Sequence, residues 1–344
     1  MEGNLTYPEG SDFPGNSPEP TAGAMLTFST DHLRPQDRFQ HWCDVRGKSL
    51  FGVTLELDPE RRPDFHGQFV AAPMGRATLI EMRASTYRME RHTSDIARVQ
   101  GDSLCIGSQV SGPGWTHTCG GEAHRIRSGL VTLGHSDQPF ASVPDAPGDF
   151  VYRVLKLPLS AGVDFCAPVD DLVALPLHEN MRLTGLVGAM FSALTSQPPE
   201  TADASTTDLE HIFRLALMAR GRISFSAPGS REALRTGCLY AARSIIDREF
   251  YRPQLAPAMV AAMLGISVRQ LHLVFEPTGM SFARTLMKRR LESAHRMLVS
   301  QPHRSVLDVA FSCGFDGMAT FYRAFRTAYG LTPGDLRHGA VRDP

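Results

Sequence analysis

Several features that define large protein classes are absent from this chain of 344 residues. Its six cysteines form no CxxC pair and no spacing suited to zinc, so we interpret them as reduced thiols. No apolar run approaches the ~20 residues that span a bilayer, and no basic segment followed by an apolar one marks a signal peptide. The sequence therefore predicts a soluble, cytoplasmic protein that is not exported.

The common enzyme motifs are also absent. There is no GxSxG nucleophile elbow, no P-loop and no Rossmann glycine run. The histidines between residues 66 and 135 never form the HxH pair typical of metal-dependent cupins. One alternative stays open, in which a hairpin around a Gly-Gly turn brings His117 and His124 together on a metal. The sequence otherwise predicts no catalytic residue, no metal ligand and no cofactor.

The two halves of the chain carry net charges of opposite sign. Residues 231–344 contain 16 Lys and Arg against 9 Asp and Glu, whereas residues 1–230 contain 19 against 27. A basic region joined to an acidic one is typical of chains that bind a polyanion such as nucleic acid. An ordinary solvated basic face would give the same count.

The stretch 308–333, DVAFSCGFDGMATFYRAFRTAYGLTP, predicts a short helix, a tight turn at Gly314 and a longer helix. Asp316 is the expected N-cap of the second helix. The apolar residues of that helix fall at helical spacing and predict one buried stripe. The stripe consists of Phe321, Ala324, Phe325 and Ala328.

A similar unit lies at 259–279, where Gly265 precedes Gly314 by 49 residues. The connecting stretch 281–299 predicts one long helix of about 28 Å, close to the ~34 Å turn of B-DNA. Its apolar stripe consists of Ala283, Met287, Leu291, Ala294 and Leu298. Two such units therefore suit successive major grooves of DNA.

This pattern resembles the double helix-turn-helix domain of the AraC/XylS family of transcription regulators. The resemblance covers about residues 232–338. It implies sequence-specific binding of double-stranded operator or promoter DNA and contact with RNA polymerase. The spacing that carries it joins Leu291, Ala294, Leu298, Ala310, Gly314, Phe315, Phe321, Phe325, Tyr329, Gly330 and Pro333.

Each unit has one helix whose outward residues are predicted to contact DNA. Ser267 is the expected N-cap of the first such helix. Its outward residues are Arg269, Gln270, His272 and Leu273, and those of the second helix are Met318, Ala319, Thr320, Tyr322, Arg323 and Arg326. Arg269 suits a guanine edge, whereas Arg323 and Arg326 suit phosphates. Leu273 stands where family members usually carry a basic residue.

The first half of the chain changes to short strands. Residues 1–24 have no Lys or Arg and many Pro and Gly, so we expect a disordered tail, with Met25 an alternative start. A short helix is predicted at 35–45, and six β-type runs between 50 and 158 predict an antiparallel barrel or sandwich. This order is similar to the cupin-like sensor domain of the XylS-like branch.

The sensor resemblance implies a small organic effector bound in the barrel. The sequence offers Cys105, Gln109, Trp115 and His117 as possible effector-binding residues. Each of the four is equally consistent with a core or turn position.

Two apolar helices, at 183–194 and 209–218, follow the strands. They suit packing within their own domain or against a second copy, and the resemblance favours a homodimer. The predicted organisation is a tail at 1–24, a cupin-like sensor domain with the first dimerisation helix at 25–195, a loop, second amphipathic helix and linker at 196–230, and the DNA-binding domain at 231–340.

Together these features predict an α+β protein of two domains, with an antiparallel β-barrel first and an all-α double helix-turn-helix domain second. The predicted function is an effector-responsive transcription activator, in which the effector shifts a conformational equilibrium. The alternatives are a constitutive regulator or a repressor without effector, and a cupin-type enzyme fused to a DNA-binding module.

Overall fold

The computed structural model describes residues 25–163, 165–177 and 180–340. The disordered tail predicted for residues 1–24 lies outside the described residues. The chain divides into two compact units between Leu234 and Arg235, inside one helix. The domain bounds given above otherwise stay predictions.

The described strands all belong to the first unit and pair antiparallel. They are β1 (Leu26–Ser29), β2 (Thr54–Glu56), β3 (Gly67–Met74), β4 (Ala77–Ser85), β5 (Arg88–Arg91), β6 (Ser103–Ser111), β7 (Gly114–Thr118), β8 (Ala123–Ile126), β9 (Val131–His135), β10 (Phe140–Pro144), β11 (Asp149–Pro158) and β12 (Leu175–Pro176).

The predicted antiparallel β-rich domain is confirmed, and its described strands form two sheets rather than one closed barrel. One sheet has the order β1-β3-β4-β11-β6-β9-β12, and the other has the order β2-β5-β10-β7-β8. No hydrogen-bonded strand pair joins the two sheets within the described part of the chain. Closure depends on the tilt and stagger of all strands together, which the alternation within single strands does not specify.

Each of the six predicted β-type runs contains a strand, but the first does so only at its end. Residues Cys43–Phe51 continue from a helix as π-helical turns, and β2 begins only at Thr54. This helical path brings the Arg46 guanidinium to 6.0 Å from the Trp42 ring centre, a contact between neighbouring turns that a strand would not allow.

The described helices of the first unit are α1 (Pro35–Trp42), α2 (Thr93–Arg98), α3 (Met181–Leu194) and α4 (Thr206–Ala219), and α5 (Ser230–Glu249) connects the units. Asn180 and Ser205 cap α3 and α4, and the two helices pack on each other. Their apolar faces are buried within one chain, as Leu186 (2%) and Phe213 (0%) show. The faces that suggested dimerisation are therefore occupied by internal packing.

The described residues of the second unit form helices joined by turns and short connections. Its further helices are α6 (Pro257–Leu264), α7 (Val268–Phe275), α8 (Phe282–Ser300), α9 (Val306–Ser312), α10 (Met318–Tyr329) and α11 (Pro333–Ala340). The predicted helix-turn-helix pairs are thus α6 with α7 and α9 with α10. Helix α8 lies between them in the chain and is 19 residues long, or about 28 Å.

Three predicted details of the second unit are wrong. Ala283 and Ala328 are exposed, and the buried side of α8 begins with Phe282 and Leu286 instead. Gly317, with no capping side chain, precedes α10 in place of Asp316. Ala283 is the second residue of α8 and Ala328 the last but one of α10, so both lie in terminal turns, and the sequence locates helix ends only to within a residue or two.

No single described helix is both long enough and apolar enough to cross a membrane. The segments Pro257–Leu264 and Val268–Thr278 reach that length and composition only when taken together, and they are bent by 97°.

Candidate nucleic-acid interface and ligand cavity

The first helix-turn-helix is held in shape by a glycine turn and a capping box. Gly265 ends α6 with φ +63°, in the left-handed region that favours glycine. The Ser267 hydroxyl accepts from the Gln270 backbone N–H at 3.1 Å, which confirms the predicted cap. The Gln270 side-chain oxygen in turn accepts from the Ser267 N–H at 2.8 Å.

The outward face of α7 presents Arg269, His272 and Leu273, which are exposed. These three residues share a surface groove with Arg284, near the start of α8. Gln270 is also exposed, but its side-chain oxygen is engaged in the cap. Arg284 was missed in the sequence because only the packing of α8 beside α7 brings it to this groove.

Arg235 supports the end of the same face. It donates to the Leu273 carbonyl and lies 3.7 Å from the Glu276 carboxylate. The one acidic residue lining this groove is therefore paired with a cation, which limits its repulsion of a phosphate backbone.

The glycine turn of the second helix-turn-helix leaves less space for a side chain than that of the first. Gly314 has φ +79°, and a Cβ at this position would lie 2.3 Å from the Phe250 carbonyl oxygen. Arg290, 9% exposed, donates to the Phe250 carbonyl at 2.9 Å and the Arg252 carbonyl at 2.7 Å. Burial lowers the pKa of Arg290, and the backbone oxygens satisfy its buried N–H groups.

Helix α10 exposes most of its predicted contact residues. Ala319, Thr320, Tyr322, Arg323 and Arg326 are exposed. Met318 is half-buried and packs against the core of the second unit. Phe321 and Phe325 are fully buried and hold the helix in place. The outward face therefore carries two cations and few groups able to read bases.

The first unit contains a cavity of about 240 Å³ lined by strands of both sheets. Its walls are mainly apolar, with aromatic side chains from Phe51, Tyr87, Phe140, Phe150 and Tyr152. Burial raises the pKa of Cys105 to about 11 and that of Tyr152 to about 12. Both groups are consequently neutral at physiological pH.

Two of the four predicted effector-binding residues line the cavity and two do not. Cys105 and Gln109 of β6 line the cavity. Trp115 and His117 do not; the cavity is lined by Thr116 between them, so the flanking residues project to the other face of β7. The effector-binding role of all four residues stays a prediction, because the sequence does not show which face of a half-exposed strand meets the cavity and no ligand contact tests it.

The alternative metal hairpin fails for the same geometric reason. His117 pairs with Ala123, and His124 pairs with Thr116. Directly paired residues share a face and successive residues alternate, so the two imidazoles lie on opposite faces of the sheet.

The cationic residues of the cavity wall are Arg46, Arg91 and Lys156, and no Asp or Glu is among the described lining residues. Arg91 is compensated: it donates to the carbonyls of Gly52 (2.6 Å) and Val99 (2.9 Å) and to Asp137 at 3.0 Å.

Asp137 is anchored from two further directions. Burial alone would raise its pKa, but hydrogen bonds from the Gly101 and Asp102 N–H groups and from Arg91 outweigh this, and the pKa is lowered. The carboxylate therefore stays charged beside Arg91.

Family models match both units. An AraC-like ligand-binding domain model covers residues 77–239, and a helix-turn-helix domain model covers residues 260–339. The fold and both sites define a DNA-binding regulator with a ligand-binding unit. The chain belongs to the AraC family of transcription regulators.

Relatives of known role extend over most of the chain. It is similar to the transcriptional activator NphR of Rhodococcus sp, with 24% identity over 328 residues, 93% of this chain and 94% of that protein. The activator RhaS of Klebsiella pneumoniae (strain 342) is 27% identical over 182 residues, 52% of this chain and 64% of its own length. The solved AraC-like activator CuxR covers 84% of this chain and 100% of its own, at 16% identity and a TM-score of 0.40.

Proposed function

We propose that this regulator is an activator whose affinity for DNA, or geometry on it, is set by a small organic effector in the cavity of the first unit. The observation that carries the proposal is the mainly apolar cavity of the first unit, most of whose lining residues lie in the region that matches the ligand-binding model. Activation is supported by the sequence relatives NphR and RhaS, both of which are activators.

The proposed DNA contacts follow the exposed faces of α7 and α10. Arg269 reads a guanine edge, and His272 and the Gln270 amide nitrogen reach adjacent bases, whereas Leu273 makes an apolar contact. On α10, Ala319 and Thr320 contact thymine methyl groups. Tyr322, Arg323 and Arg326 bind phosphates. Met318, being half-buried, contributes least.

Arg284 joins this proposal as a phosphate contact. It lines the same groove as Arg269 and His272, and its side chain is exposed. A cation beside a base-reading helix strengthens binding without regard to sequence.

The proposal also includes a cytoplasmic homodimer that contacts RNA polymerase and has no catalytic activity of its own. Transcription and its polymerase are cytoplasmic in a bacterium such as those of the named relatives. Because the apolar faces of α3 and α4 are internal, the dimer contact would use the outer side of α3, where Met181 is 86% exposed. Sedimentation of the full chain at tens of micromolar tests this point, and a monomer there would contradict it.

Selection of bound sequences from a random DNA pool with the full chain, followed by deletion of the gene, tests the main proposal. We expect a defined operator and lower transcription of the operon that carries it. Higher transcription after deletion would instead identify a repressor. If no metabolite changes the operator affinity or the promoter output, the result favours a constitutive regulator.

A further inference from the structure

One large apolar side chain lies among the cations on the outward face of α7. Leu273 is 45% exposed, whereas Val274 and Phe275, which follow it, are buried. It lines the groove beside α7 together with the cationic Arg269 and Arg284. A single exposed leucine is common on protein surfaces, so its meaning depends on what fixes it and what surrounds it.

A proline makes the position of Leu273 depend on a side chain from another helix. The helical partner of the Leu273 carbonyl would be the N–H of residue 277, but Pro277 has no N–H. Arg235 of α5 donates to this carbonyl instead. A cation at the C-terminal end of a helix is also favourable for the helix dipole. The last turn of α7 is therefore anchored to α5.

A second apolar side chain, Met280, lines the same groove and is half-buried. The Thr278 hydroxyl accepts from the Met280 N–H at 3.1 Å and donates to the Phe275 carbonyl at 2.7 Å. These two hydrogen bonds fix the segment between α7 and α8. Leu273 and Met280 thus present apolar surface at defined places in a groove whose other side chains include two arginines.

The major groove of DNA offers one apolar group to such a surface. Thymine and 5-methylcytosine carry a methyl group at C5 that points into this groove, whereas the other base-edge groups there are hydrogen-bond donors and acceptors. A polar group placed against a leucine loses water without gaining a partner. Arg269 precedes Leu273 by one helical turn, about 6 Å along the axis. This distance is less than two base-pair steps of roughly 3.4 Å each.

We infer that Leu273 is a specificity residue that binds the C5-methyl group of a pyrimidine within two base pairs of the guanine bound by Arg269. This inference rests on the proposed DNA contacts of α7 and names the chemical group that Leu273 recognises. Arg235 is a positioning residue, because it anchors the turn that carries Leu273. Burial of one methyl group gives a preference of about fourfold for the methylated pyrimidine.

Removal of single methyl groups from the DNA tests the inference. The probe is the duplex that the full chain selects from the random pool, with each thymine replaced in turn by deoxyuridine, which lacks only the methyl group. We expect about fourfold weaker binding at one thymine within two base pairs of the guanine. At that position 5-methylcytosine should bind about fourfold more tightly than cytosine. Both ratios should be independent of salt, since no charge changes.

Variants of α7 then assign the methyl preference to one side chain. In Leu273→Ala the effect of deoxyuridine should vanish at that position, while the guanine preference due to Arg269 remains. Leu273→Met should keep the effect, because methionine is apolar and of similar volume. Val268→Ala is the matched control, since Val268 is 40% exposed on the same helix but does not line the groove. Loss of the effect in Val268→Ala and not in Leu273→Ala would overturn the assignment.

Arg235→Met tests the positioning role. It should lower the methyl preference and the guanine preference together, and leave unchanged the base preferences that depend on α10. Arg235→Gln should restore part of both, because its amide N–H still donates to the Leu273 carbonyl. Arg243→Met is the control, since Arg243 is exposed on the same helix α5. Equal losses in Arg235→Met and Arg243→Met would contradict the positioning role.

The outcomes separate this inference from the proposed function. A guanine preference that depends on Arg269, with no methyl effect within two base pairs of it, overturns the inference and leaves DNA binding by α7 standing. Methyl effects confined to positions that depend on Ala319 and Thr320 of α10 overturn it as well. If the full chain selects no sequence from the pool, both proposals fail.

Discussion

The two units place their functional side chains in opposite environments. In the second unit the proposed DNA contacts are exposed on α7 and α10, and the buried residues serve only the fold. In the first unit the polar groups of interest are themselves buried, in a cavity lined by both sheets. A partner as large as DNA requires an outer face, whereas a small ligand is recognised by groups shielded from water.

Two buried arginines show the same contrast. Arg290 donates to backbone carbonyls, whereas Arg46 donates only to sulfur. Burial alone does not distinguish a structural arginine from a ligand-binding one. The acceptors do, because a guanidinium with oxygen acceptors is compensated within the fold, whereas one with sulfur acceptors alone is poorly compensated.

The largest effect is expected from the turn glycines of the two helix-turn-helix pairs. Gly314→Ala should destabilise the second unit by about 3 kcal/mol or more, because the new Cβ meets the Phe250 carbonyl at 2.3 Å. Gly265→Ala should cost only about 1 to 2 kcal/mol, since its positive φ is strained but no atom lies within 4 Å. Calorimetric unfolding of the full chain measures both. Equal losses would show that the backbone angle alone matters.

Replacing the two buried arginines by Met should separate their roles. Arg290→Met should cost about 2 to 3 kcal/mol, because it leaves buried carbonyls without donors. Arg46→Met should stay within about 1 kcal/mol of the wild type, or gain stability, since it removes a poorly compensated charge. Hydrogen exchange measured by mass spectrometry locates each loss of protection. A larger loss in Arg46→Met would contradict the comparison.

The exposed arginines of α7 and α10 should differ in specificity rather than in stability. Arg269→Ala should cost about 1 to 3 kcal/mol of operator binding and relax the preference at one base pair. Arg326→Ala should weaken all sequences alike and reduce the salt slope by about one. Titrations against single-base operator variants at several salt concentrations measure both. Equal, sequence-independent losses would reduce Arg269 to a phosphate contact.

The smallest effect is expected at Asp137, the carboxylate that pairs with Arg91 of the cavity wall. Because the pKa of Asp137 is lowered in the fold, its stabilisation is present above the unfolded value, about 3.9, and is lost as the pH falls through the folded one. Asp137→Asn keeps an acceptor for Arg91 and removes this titration. Melting curves between about pH 2 and 5, a range that brackets the unfolded pKa, should therefore flatten slightly in the variant. Parallel curves would show that Asp137 does not contribute to the acid sensitivity.

The sequence alone predicted the main helices of the second unit. Because helices are local structures, spacing identified both helix-turn-helix pairs, the buried Phe321 and Phe325, and the outward Arg269 and Arg326. The sequence also predicted an antiparallel β-rich first unit. Its errors at Ala283, Ala328 and Asp316 concern only the exact limits of helices, which local pattern sets loosely.

Only the tertiary structure determined the cavity. Arg46, Tyr87 and Met89 are separated by up to 43 residues, and nothing in their local pattern indicates that they meet. Trp115 and His117 were predicted as liners because strand alternation gives two faces without saying which is inward. Which side of each strand faces the cavity, and whether a buried charge finds an acceptor, depend on contacts between distant segments. The physical reason is that helical pattern is set by neighbours along the chain, whereas a cavity is set by neighbours in space.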